Sequence, residues 1–506
     1  MKIRPPSKND LYRLANENHM ELNDEELEVF ESLIKPMVKS FDKIFDITST
    51  KESSITRNVS LRGKPSREED PFNAIIRRCL VSGSRNGKLA GKRIGLKDNI
   101  SVAGIPLTCG STVLDGFVPD DDATIVTRIL GEGGKIVAIL NMDDFAYSGA
   151  GAISAYGPIL NPHDTHYLAG GSSGGSAASL YYDYVDMTIG CDQGGSIRMP
   201  ASWCGVVGLK PTFGLVPYTG IVGADATIDH TGPMARNVED VALLLEVIAG
   251  NDQKDPRQIE FNVQSYVGNL SKDISGLRIG LVREGFGLNI SDPEVDTSVR
   301  HALTVLGDLG AEIEEVSIPE HRDLGKVIAW AIAAEGGAMG IRENGVGYHS
   351  GGHHNVAFAN VLGKSRITNG NDFPPSVKIM LLLGTYLNQT YHGSVYGRAQ
   401  NAAKILRDSY DRAFQQVDIL AMPTTPMKAH QYRSNASLSE LMEYSSNMSG
   451  NTAPTNVTGH PAISVPCGKP SGLPVGLMLI GRHFDDSGLL NAAYTFESNV
   501  EWENLT

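Results

Sequence analysis

Short apolar runs alternate with amphipathic segments along most of this chain. The apolar runs have the length of buried strands and lie at 93–97, 135–140, 277–282, 312–318, 418–422 and 474–481. The amphipathic segments have helical spacing and lie at 123–130, 176–184, 292–309 and 398–417. Because alternation of this kind builds a sheet with helices packed against it, we predict an α/β fold. We expect a mostly parallel or mixed β-sheet that helices cover on both faces.

The first 69 residues follow a different pattern. Residues 7–49 predict helices, with Asn23 and Glu26 in a capping box before apolar positions at three- and four-residue spacing. These apolar positions are Leu27, Phe30, Ile34, Met37, Phe41 and Phe45. Pro36 predicts a kink. Such an arm has too few apolar residues for a core of its own, so it must pack on the main body or on a second subunit.

Two further boundaries follow from the pattern. Residues 50–70 are polar and predict a linker, so we assign 1–69 to an N-terminal helical arm and linker, and 70–506 to the main domain. Within that domain, 323–396 interrupts the alternation with many glycines. We interpret this stretch as an inserted region on the substrate side.

Composition excludes several classes of protein. Of the 506 residues, 41% are hydrophobic and 20% are charged, as in ordinary globular proteins, and the formal charge of −14 disfavours a nucleic-acid partner. Five scattered cysteines and the polar N-terminus suggest a reduced, cytoplasmic protein without a signal peptide. Apolar runs such as 327–334 are shorter than the roughly 20 residues of a membrane span.

The candidate chemistry lies in two glycine-rich turns and one strand end. Gly170–Ser176 reads GGSSGGS, and the second turn carries Ser196 directly after Gly194 and Gly195. A serine hydroxyl needs a base to become a nucleophile, and a neutral lysine is a known base for serine. Lys97, at the end of the strand 93–97, is our candidate. We expect the backbone N–H groups of Gln193, Gly194 and Gly195 to converge as an oxyanion hole, and Ser172 to relay the proton between Ser196 and Lys97.

Other interpretations of these motifs are weaker. Ser172 and Ser173 also fit a nucleophile elbow, but such an elbow needs a strand directly before it. A phosphate cradle lacks the lysine or acidic partner at the required spacing. His163 with His166, and His353 with His354, have no cysteine or carboxylate at ligand spacing. We therefore predict no metal site and no cofactor.

Four linked motifs resemble the amidase signature family over about residues 70–500. They are GLKDN at 95–99, GGSSGGS at 170–176, DQGGSIR at 192–198 and GLKPT at 208–212. The resemblance implies Ser196 as the nucleophile, Ser172 as a bridging serine after a cis peptide from Gly171, and Lys97 as the base. VPYTG at 216–220 and GRHFDD at 481–486 look most like stand-alone bacterial amidases found beside nitrile hydratases. Those relatives use an N-terminal helical segment for dimer contact, so the resemblance implies a homodimer.

The remaining site residues have supporting or binding roles in this interpretation. We expect Ser173 to hydrogen-bond near Lys97 or to the backbone, and Asp192 with Arg198 to form a buried ion pair that fixes the nucleophile turn. Tyr147 fits a core position and a substrate-pocket position equally. Gln193, whose side chain replaces an apolar residue of many relatives, and Gly171 are our further candidates for substrate contact.

The sequence thus predicts an amidase that cleaves a small carboxylic acid amide through an acyl-Ser196 intermediate, releasing ammonia or an amine. One alternative is the glutamine-hydrolysing subunit of a tRNA-dependent amidotransferase, against which the N-terminal arm argues. An aryl acylamidase or carbamate hydrolase also stays open, because no pattern identifies the acyl group. A catalytically idle scaffold is disfavoured, since Lys97, Ser172 and Ser196 are all present.

Overall fold

A computed structural model of the chain describes residues 3–44, 58–346 and 351–505. It divides into two compact units, Met1–Thr56 and Arg57–Thr506. In the first unit, α1 spans Lys8–Glu17 and α2 spans Asp24–Ser40. The predicted capping box of Asn23 and Glu26 is present at the start of α2, and Pro36 lies inside that helix. Phe45 and the predicted helical residues after it lie outside the described part of the chain.

The apolar positions of this arm are unevenly buried. Ala15 and Leu27 are buried, whereas Phe30, Leu33 and Met37 are exposed. Large exposed apolar side chains on one helix are typical of a surface that contacts another protein. The dimer contact expected here stays a prediction, which sedimentation of the intact chain tests.

The second unit contains a sheet of twelve strands within the described residues. The strands are β1 Asn58–Gly63, β2 Ile75–Ser82, β3 Arg93–Lys97, β4 Lys135–Leu140, β5 Met187–Asp192, β6 Val207–Lys210, β7 His230–Ala235, β8 Arg278–Val282, β9 Glu312–Val316, β10 Ile419–Pro423, β11 Ala462–Gly468 and β12 Val475–Ile480. Their order across the sheet is β1-β2-β4-β3-β5-β7-β6-β11-β12-β10-β8-β9. Four neighbouring pairs are parallel and seven are antiparallel.

Helices cover both faces of this sheet. Every residue of β5, β7 and β11 is buried. Because successive side chains of a strand point to opposite faces, a strand buried along its whole length is covered on both sides. The predicted α/β architecture with a mixed sheet is therefore confirmed, although antiparallel pairs are more frequent than the helix–strand alternation suggests.

The helices of this unit occupy most of the predicted helical segments. In chain order they are α3 Thr124–Gly131, α4 Gly174–Ala178, α5 Arg198–Cys204, α6 Val238–Ile248, α7 Pro293–Asp308, α8 Lys326–Arg342, α9 Val356–Thr368, α10 Pro375–Tyr391, α11 Ser394–Ala413, α12 Leu438–Tyr444, α13 Ala453–Thr458 and α14 Asp486–Asn499. The region 323–396, which carries no helical prediction, forms α8, α9, α10 and the start of α11. Several of its glycines, including Gly336, Gly337, Gly363 and Gly384, lie inside these helices and obscure the helical period.

Two local predictions are wrong. Residues 58–63, predicted as part of a linker, form the edge strand β1, which pairs with β2 and is exposed along its whole length. Only two apolar residues, Val59 and Leu61, alternate with polar ones in this short strand, and both are exposed, so the stretch resembles a linker in sequence. The helix predicted at 176–184 is only α4, followed by a 3₁₀ turn at Ser179–Tyr181.

The stretch Pro319–Arg342, which ends in α8, is long and apolar enough to cross a membrane by length and composition, with a mean hydropathy of 1.2. Half of its most apolar window is buried inside the protein. Helices α10 and α11 pack against α8. A core helix of a globular unit has this pattern.

Candidate active site

Lys97 lies at the end of β3, between β4 and β5. Its side chain is fully buried, and its Nζ donates to Ser172 Oγ at 2.7 Å and to the carbonyl oxygen of Cys191 at 3.3 Å. Three separate motifs therefore meet at one amine: the end of β3, the glycine-rich loop 170–176 and the end of β5.

Burial changes the acid–base chemistry of Lys97. Removal from water disfavours the ammonium form and lowers the pKa of Lys97 to about 8, against the opposing influence of Cys191, Asp143 and Asp192. This direction is the one that a lysine base requires. A lysine with this pKa has a useful neutral fraction near neutral pH, which an exposed lysine lacks.

The loop that carries Ser172 is held against the sheet by its neighbours. The Gly171–Ser172 peptide is cis, and the Gly171 N–H donates to the carbonyl oxygen of Gly149 at 2.7 Å. A Cβ at Gly171 would overlap the carboxylate of Asp143, so only glycine fits there. Ser173 Oγ donates to the Cys191 carbonyl oxygen at 3.1 Å and accepts the Cys191 N–H at 3.3 Å. Ser173 is therefore joined to the backbone of β5.

Asp192 and Arg198 form the predicted buried ion pair. Arg198 Nε and Nη2 donate to the two carboxylate oxygens of Asp192 at 3.0 and 2.9 Å, and neither side chain is exposed. Burial favours the neutral acid, but the charge of Arg198 outweighs it and holds the pKa of Asp192 well below its ordinary value. The same carboxylate accepts the N–H of Ile197 at 3.1 Å. The pair thus fixes both ends of the turn that carries Ser196.

The oxyanion-hole prediction needs one correction. The Gly195 N–H donates to Asp192 Oδ1 at 2.6 Å, so it points to this carboxylate and is not free for a substrate oxygen. Gly195 has a φ of 129°, and a Cβ there would overlap Thr452. The backbone angle and this close contact therefore account for glycine at position 195, without a role in an oxyanion hole. In the described part of the chain, the N–H groups of Gly194 and Ser196 have no protein acceptor. Gln193 and Gly194 stay predicted donors, and Ser196 joins them.

Ser196 lies at the surface of this buried network, with 5% of its area exposed. Its carbonyl oxygen accepts the Ser173 N–H at 3.2 Å, which brings the two serine loops together. Among the hydrogen bonds of the described residues, none reaches Ser196 Oγ, so the predicted Ser172–Ser196 relay is not a hydrogen bond in this structure. The Oγ is available to a ligand.

The two candidate substrate contacts occupy different places. Gln193 Nε2 donates to the Tyr218 hydroxyl at 2.9 Å, and within the described residues Gln193 Oε1 is buried without a partner. Tyr147 lines a cavity of about 500 Å³ and also packs against an apolar cluster that includes Phe145. Lys97, Ser172 and Ser196 do not line this cavity. A second cavity, of about 420 Å³, lies elsewhere beside Lys428 and His430.

Comparison with known proteins agrees with this geometry. The family described as Amidase matches residues 74–490. The chain belongs to the amidase family. A glutamyl-tRNA(Gln) amidotransferase subunit of Methanosarcina barkeri is 40% identical over 421 residues, which cover 82% of this chain and 86% of the relative. The same subunit of Carboxydothermus hydrogenoformans is 37% identical over 473 residues, covering 93% and 94%.

Solved amidase structures share the fold. The corresponding amidotransferase subunit of Thermotoga maritima has a TM-score of 0.70 and 29% identity, covering 86% of this chain and 91% of its own. A peptide amidase from Stenotrophomonas maltophilia has a TM-score of 0.69 and 28% identity, covering 83% and 84%. Both resemblances extend over most of each chain, so the family membership of this amidase supports hydrolysis of amide C–N bonds.

Several site residues of this amidase have no motif that would identify them in advance. Asp143 accepts the N–H groups of Gly151 and Ile153 at 2.9 and 2.7 Å, and burial raises the pKa of Asp143 to about 6. Thr452 donates to the Gly194 carbonyl oxygen at 2.6 Å, and Asn456 donates to Asp192 Oδ1 at 2.9 Å. The one available signal is a run of Asn and Thr at 451–458 between apolar segments.

The two histidine pairs singled out in the sequence have different surroundings. His163 Nε2 lies 2.7 Å from the Tyr181 hydroxyl, and His353 and His354 are exposed. One other group in this amidase, Asp411 with His460 and His483, places three possible metal ligands within 4.8 Å of one another. His460 Nε2 already pairs with Asp411 at 3.1 Å, and His483 Nε2 bonds to the Thr458 carbonyl oxygen at 3.0 Å. Internal hydrogen bonds thus account for this group.

Breaking the ion pair tests its role in the turn. We expect Arg198→Met to lower the free energy of unfolding by about 3–5 kcal/mol, because the carboxylate of Asp192 would stay buried without its partner. The matched control, Arg433→Met, removes an exposed partner of Glu440 and should cost less than about 1 kcal/mol. Urea denaturation measures both. Equal effects of the two substitutions would contradict the proposed importance of the pair.

Proposed function

We propose that this chain hydrolyses carboxylic acid amides through an acyl-enzyme on Ser196. The observation that supports this most is the 2.7 Å hydrogen bond between Lys97 and Ser172 inside a site without solvent exposure. A buried amine with a lowered pKa beside a hydroxyl is the arrangement that a serine nucleophile requires of its base.

In this proposal the neutral amine of Lys97 takes the proton of Ser172, and Ser172 takes the proton of Ser196. The Oγ of Ser196 attacks the amide carbonyl carbon, and backbone N–H groups of the loop at Gly194 receive the negative oxygen. When the C–N bond breaks, the departing nitrogen takes the proton back through Ser172, leaving an ester on Ser196. Water then attacks the ester through the same relay and releases the acid.

Two substrate classes compete for this site. The curated relatives favour a glutamine-hydrolysing role within an amidotransferase, since they are named as subunits of such an enzyme. The cavity that Tyr147 lines favours a stand-alone amidase, because no Lys or Arg occurs among the described residues that line it. Free glutamine carries a carboxylate, which proteins bind with such cations. We therefore propose a stand-alone cytoplasmic amidase for small amides, which forms a homodimer and needs no nucleic-acid partner.

A substrate panel decides between these two classes. We expect the purified chain to release ammonia from hexanamide with a kcat/KM at least about tenfold that for glutamine, because the glutamine carboxylate would find no lysine or arginine among the described residues that line the cavity. Benzamide, an anilide and a carbamate in the same panel sort the remaining acyl and leaving groups. Preferred hydrolysis of glutamine, or activity only after partner subunits are added, would support the amidotransferase role instead.

Substitution of the nucleophile tests the covalent step. We expect Ser196→Ala to abolish turnover without changing the unfolding temperature, since the Oγ has no hydrogen-bond partner among the described residues to lose. Hydroxylamine should convert the wild-type acyl-enzyme to a hydroxamate, and mass spectrometry should place the acyl group on the Ser196 peptide. Ser439→Ala, at an exposed position, serves as the control. An acyl group on Ser172 would reverse the assigned roles.

The pH dependence tests Lys97 as the base. Only the unprotonated amine accepts a proton, so kcat/KM should rise with pH through the lowered pKa of about 8 and then level off. Lys97→Met should reduce kcat by several orders of magnitude and remove this limb of the profile. Lys97→Arg should fail to restore it, because guanidinium stays protonated. Near-normal turnover of Lys97→Arg with an unchanged profile would make Lys97 a structural cation only.

A further inference from the structure

The cavity of about 500 Å³ beside Tyr147 is strongly acidic. Asp225, Asp229 and Glu335 line it, together with the exposed Glu343. No lysine or arginine stands among its described lining residues. Arg257, whose charge acts on Asp229, does not line the cavity and is paired with Asp255 at 2.6 Å. These acidic side chains therefore face the cavity without a lysine or arginine among its described lining residues, and burial raises the pKa of Asp229 to about 7.

Glu335 is the most unusual of these groups. Only 2% of its area is exposed, and its Oε2 accepts the Tyr396 N–H at 2.9 Å. Its Oε1 is buried and has no hydrogen-bond partner among the described residues. An unpaired buried carboxylate oxygen is costly, so its persistence in a cavity wall points to a donor supplied from outside the chain.

A second polar atom in this wall lacks a partner. The Tyr147 hydroxyl is buried without a hydrogen bond to any described group. A Cβ at Gly337 would overlap this hydroxyl, and a Cβ at Gly336 would overlap the carboxylate of Asp225. The sequence Glu-Gly-Gly on α8 therefore lets the phenol and the acid approach the helix that carries Glu335. Polar and apolar groups line the same space, since Phe145, Ile341 and Leu362 also belong to its wall.

The cavity begins close to the nucleophile loop. In the pairing of β5 with β7, Asp192 is opposite His230. Gln193 follows Asp192 in the chain, and Asp229 precedes His230. Because the two strands are antiparallel, Gln193 and Asp229 are neighbours just beyond the end of the ladder. Asp229 lines the cavity. Opposite residues of antiparallel strands have Cα atoms about 4.5–5.5 Å apart. The Tyr218 hydroxyl, bonded to Gln193, also lies 3.5 Å from the carbonyl oxygen of Val222, another lining residue.

We infer that this cavity binds a protonated amino group of the substrate, with Glu335 as the residue that selects it. The preferred substrates are amides that carry a primary ammonium group on an aliphatic chain and, unlike glutamine, no carboxylate beside that ammonium. This inference rests on the proposed amidase function, because it assigns one part of the same substrate. The ammonium donates to Glu335 Oε1, Asp225 adds negative charge, and the methylenes contact the apolar wall.

An ammonium fits this cavity better than a metal ion. Among the described residues, three side chains of the kinds that bind metals have ligand atoms close enough together to hold an ion: Asp411, His460 and His483. None of these three lines the cavity. The acids of the cavity therefore do not converge on one point. An ammonium on a flexible apolar chain needs only one or two acceptors and an apolar wall, and the cavity supplies both.

Binding of a simple amine tests the inference without turnover. We expect calorimetry on the wild-type chain to give hexylammonium at least about a tenfold lower Kd than hexan-1-ol, which has the same chain but no charge. Glu335→Gln should weaken hexylammonium binding about 10- to 100-fold, the range for a hydrogen bond to a charged group. Glu314→Gln, an equal charge change on the exposed strand β9, should have no effect.

Two results would overturn the inference. One is equal binding of hexylammonium and hexan-1-ol by the wild-type chain, a comparison that needs no variant to fold. The other is unchanged hexylammonium binding in Glu335→Gln with a native unfolding temperature. If Glu335→Gln does not fold, Asp225→Asn, at a half-buried position, replaces it, and an unchanged Kd there counts equally against the inference.

Turnover separates this inference from the proposed function. We expect the kcat/KM for 6-aminohexanamide to exceed that for hexanamide about tenfold or more, and Glu335→Gln, but not Glu314→Gln, to reduce this ratio. Hydrolysis of hexanamide without any preference for the amine would leave the amidase function intact and refute the ammonium site. Binding of hexylammonium at Glu335 without hydrolysis of either amide would support the site and refute the amidase proposal.

Discussion

The structure depends on the burial of one amine. Lys97 has no exposed surface, and the resulting loss of hydration lowers its pKa to about 8. Burial also requires partners for the amine, which are Ser172 Oγ and the Cys191 carbonyl oxygen. The end of β3, the loop 170–176 and the end of β5 must therefore meet at Lys97. The cost of hiding this group is the reason that so much backbone is fixed around it.

A buried ion pair positions the turn that carries Ser196. Asp192 and Arg198 neutralise each other at zero exposure, and Asp192 also accepts the N–H groups of Gly195 and Ile197. Because the carboxylate holds the backbone on both sides of Ser196, the orientation of that turn follows from the ion pair. The same geometry takes Gly195 out of the oxyanion hole. A donor that stabilises the folded turn is not available to the substrate.

Four glycines of this amidase allow close contacts at two different places. Gly171 and Gly195 let Asp143 and Thr452 approach the serine loops closely, where any Cβ would overlap. Gly336 and Gly337 do the same on α8, which brings Asp225 and Tyr147 to the wall of the acidic cavity. Gly171 and Gly195 thus allow tight packing around the two serine loops. Gly336 and Gly337 allow polar groups to contact the surface of α8 beside the cavity. The same residue type thus allows close contacts both at the serine loops and at the cavity wall.

The sequence by itself determined the α/β class, the strand that carries Lys97, the family and the pairing of Asp192 with Arg198. Short apolar runs and the helical spacing of apolar residues identify the buried strands and the helices between them. The linked Gly-, Ser- and Lys-containing motifs identify the family. The tertiary structure alone decided the antiparallel pairings, the edge strand β1 and the helices within 323–396, because exposed edges and glycine-rich helices carry no periodic signal. It also decided which N–H groups are free and which carboxylate oxygens lack partners. Such facts depend on contacts between residues far apart in the chain, as Thr452 with Gly194 and Glu335 with Tyr396 show.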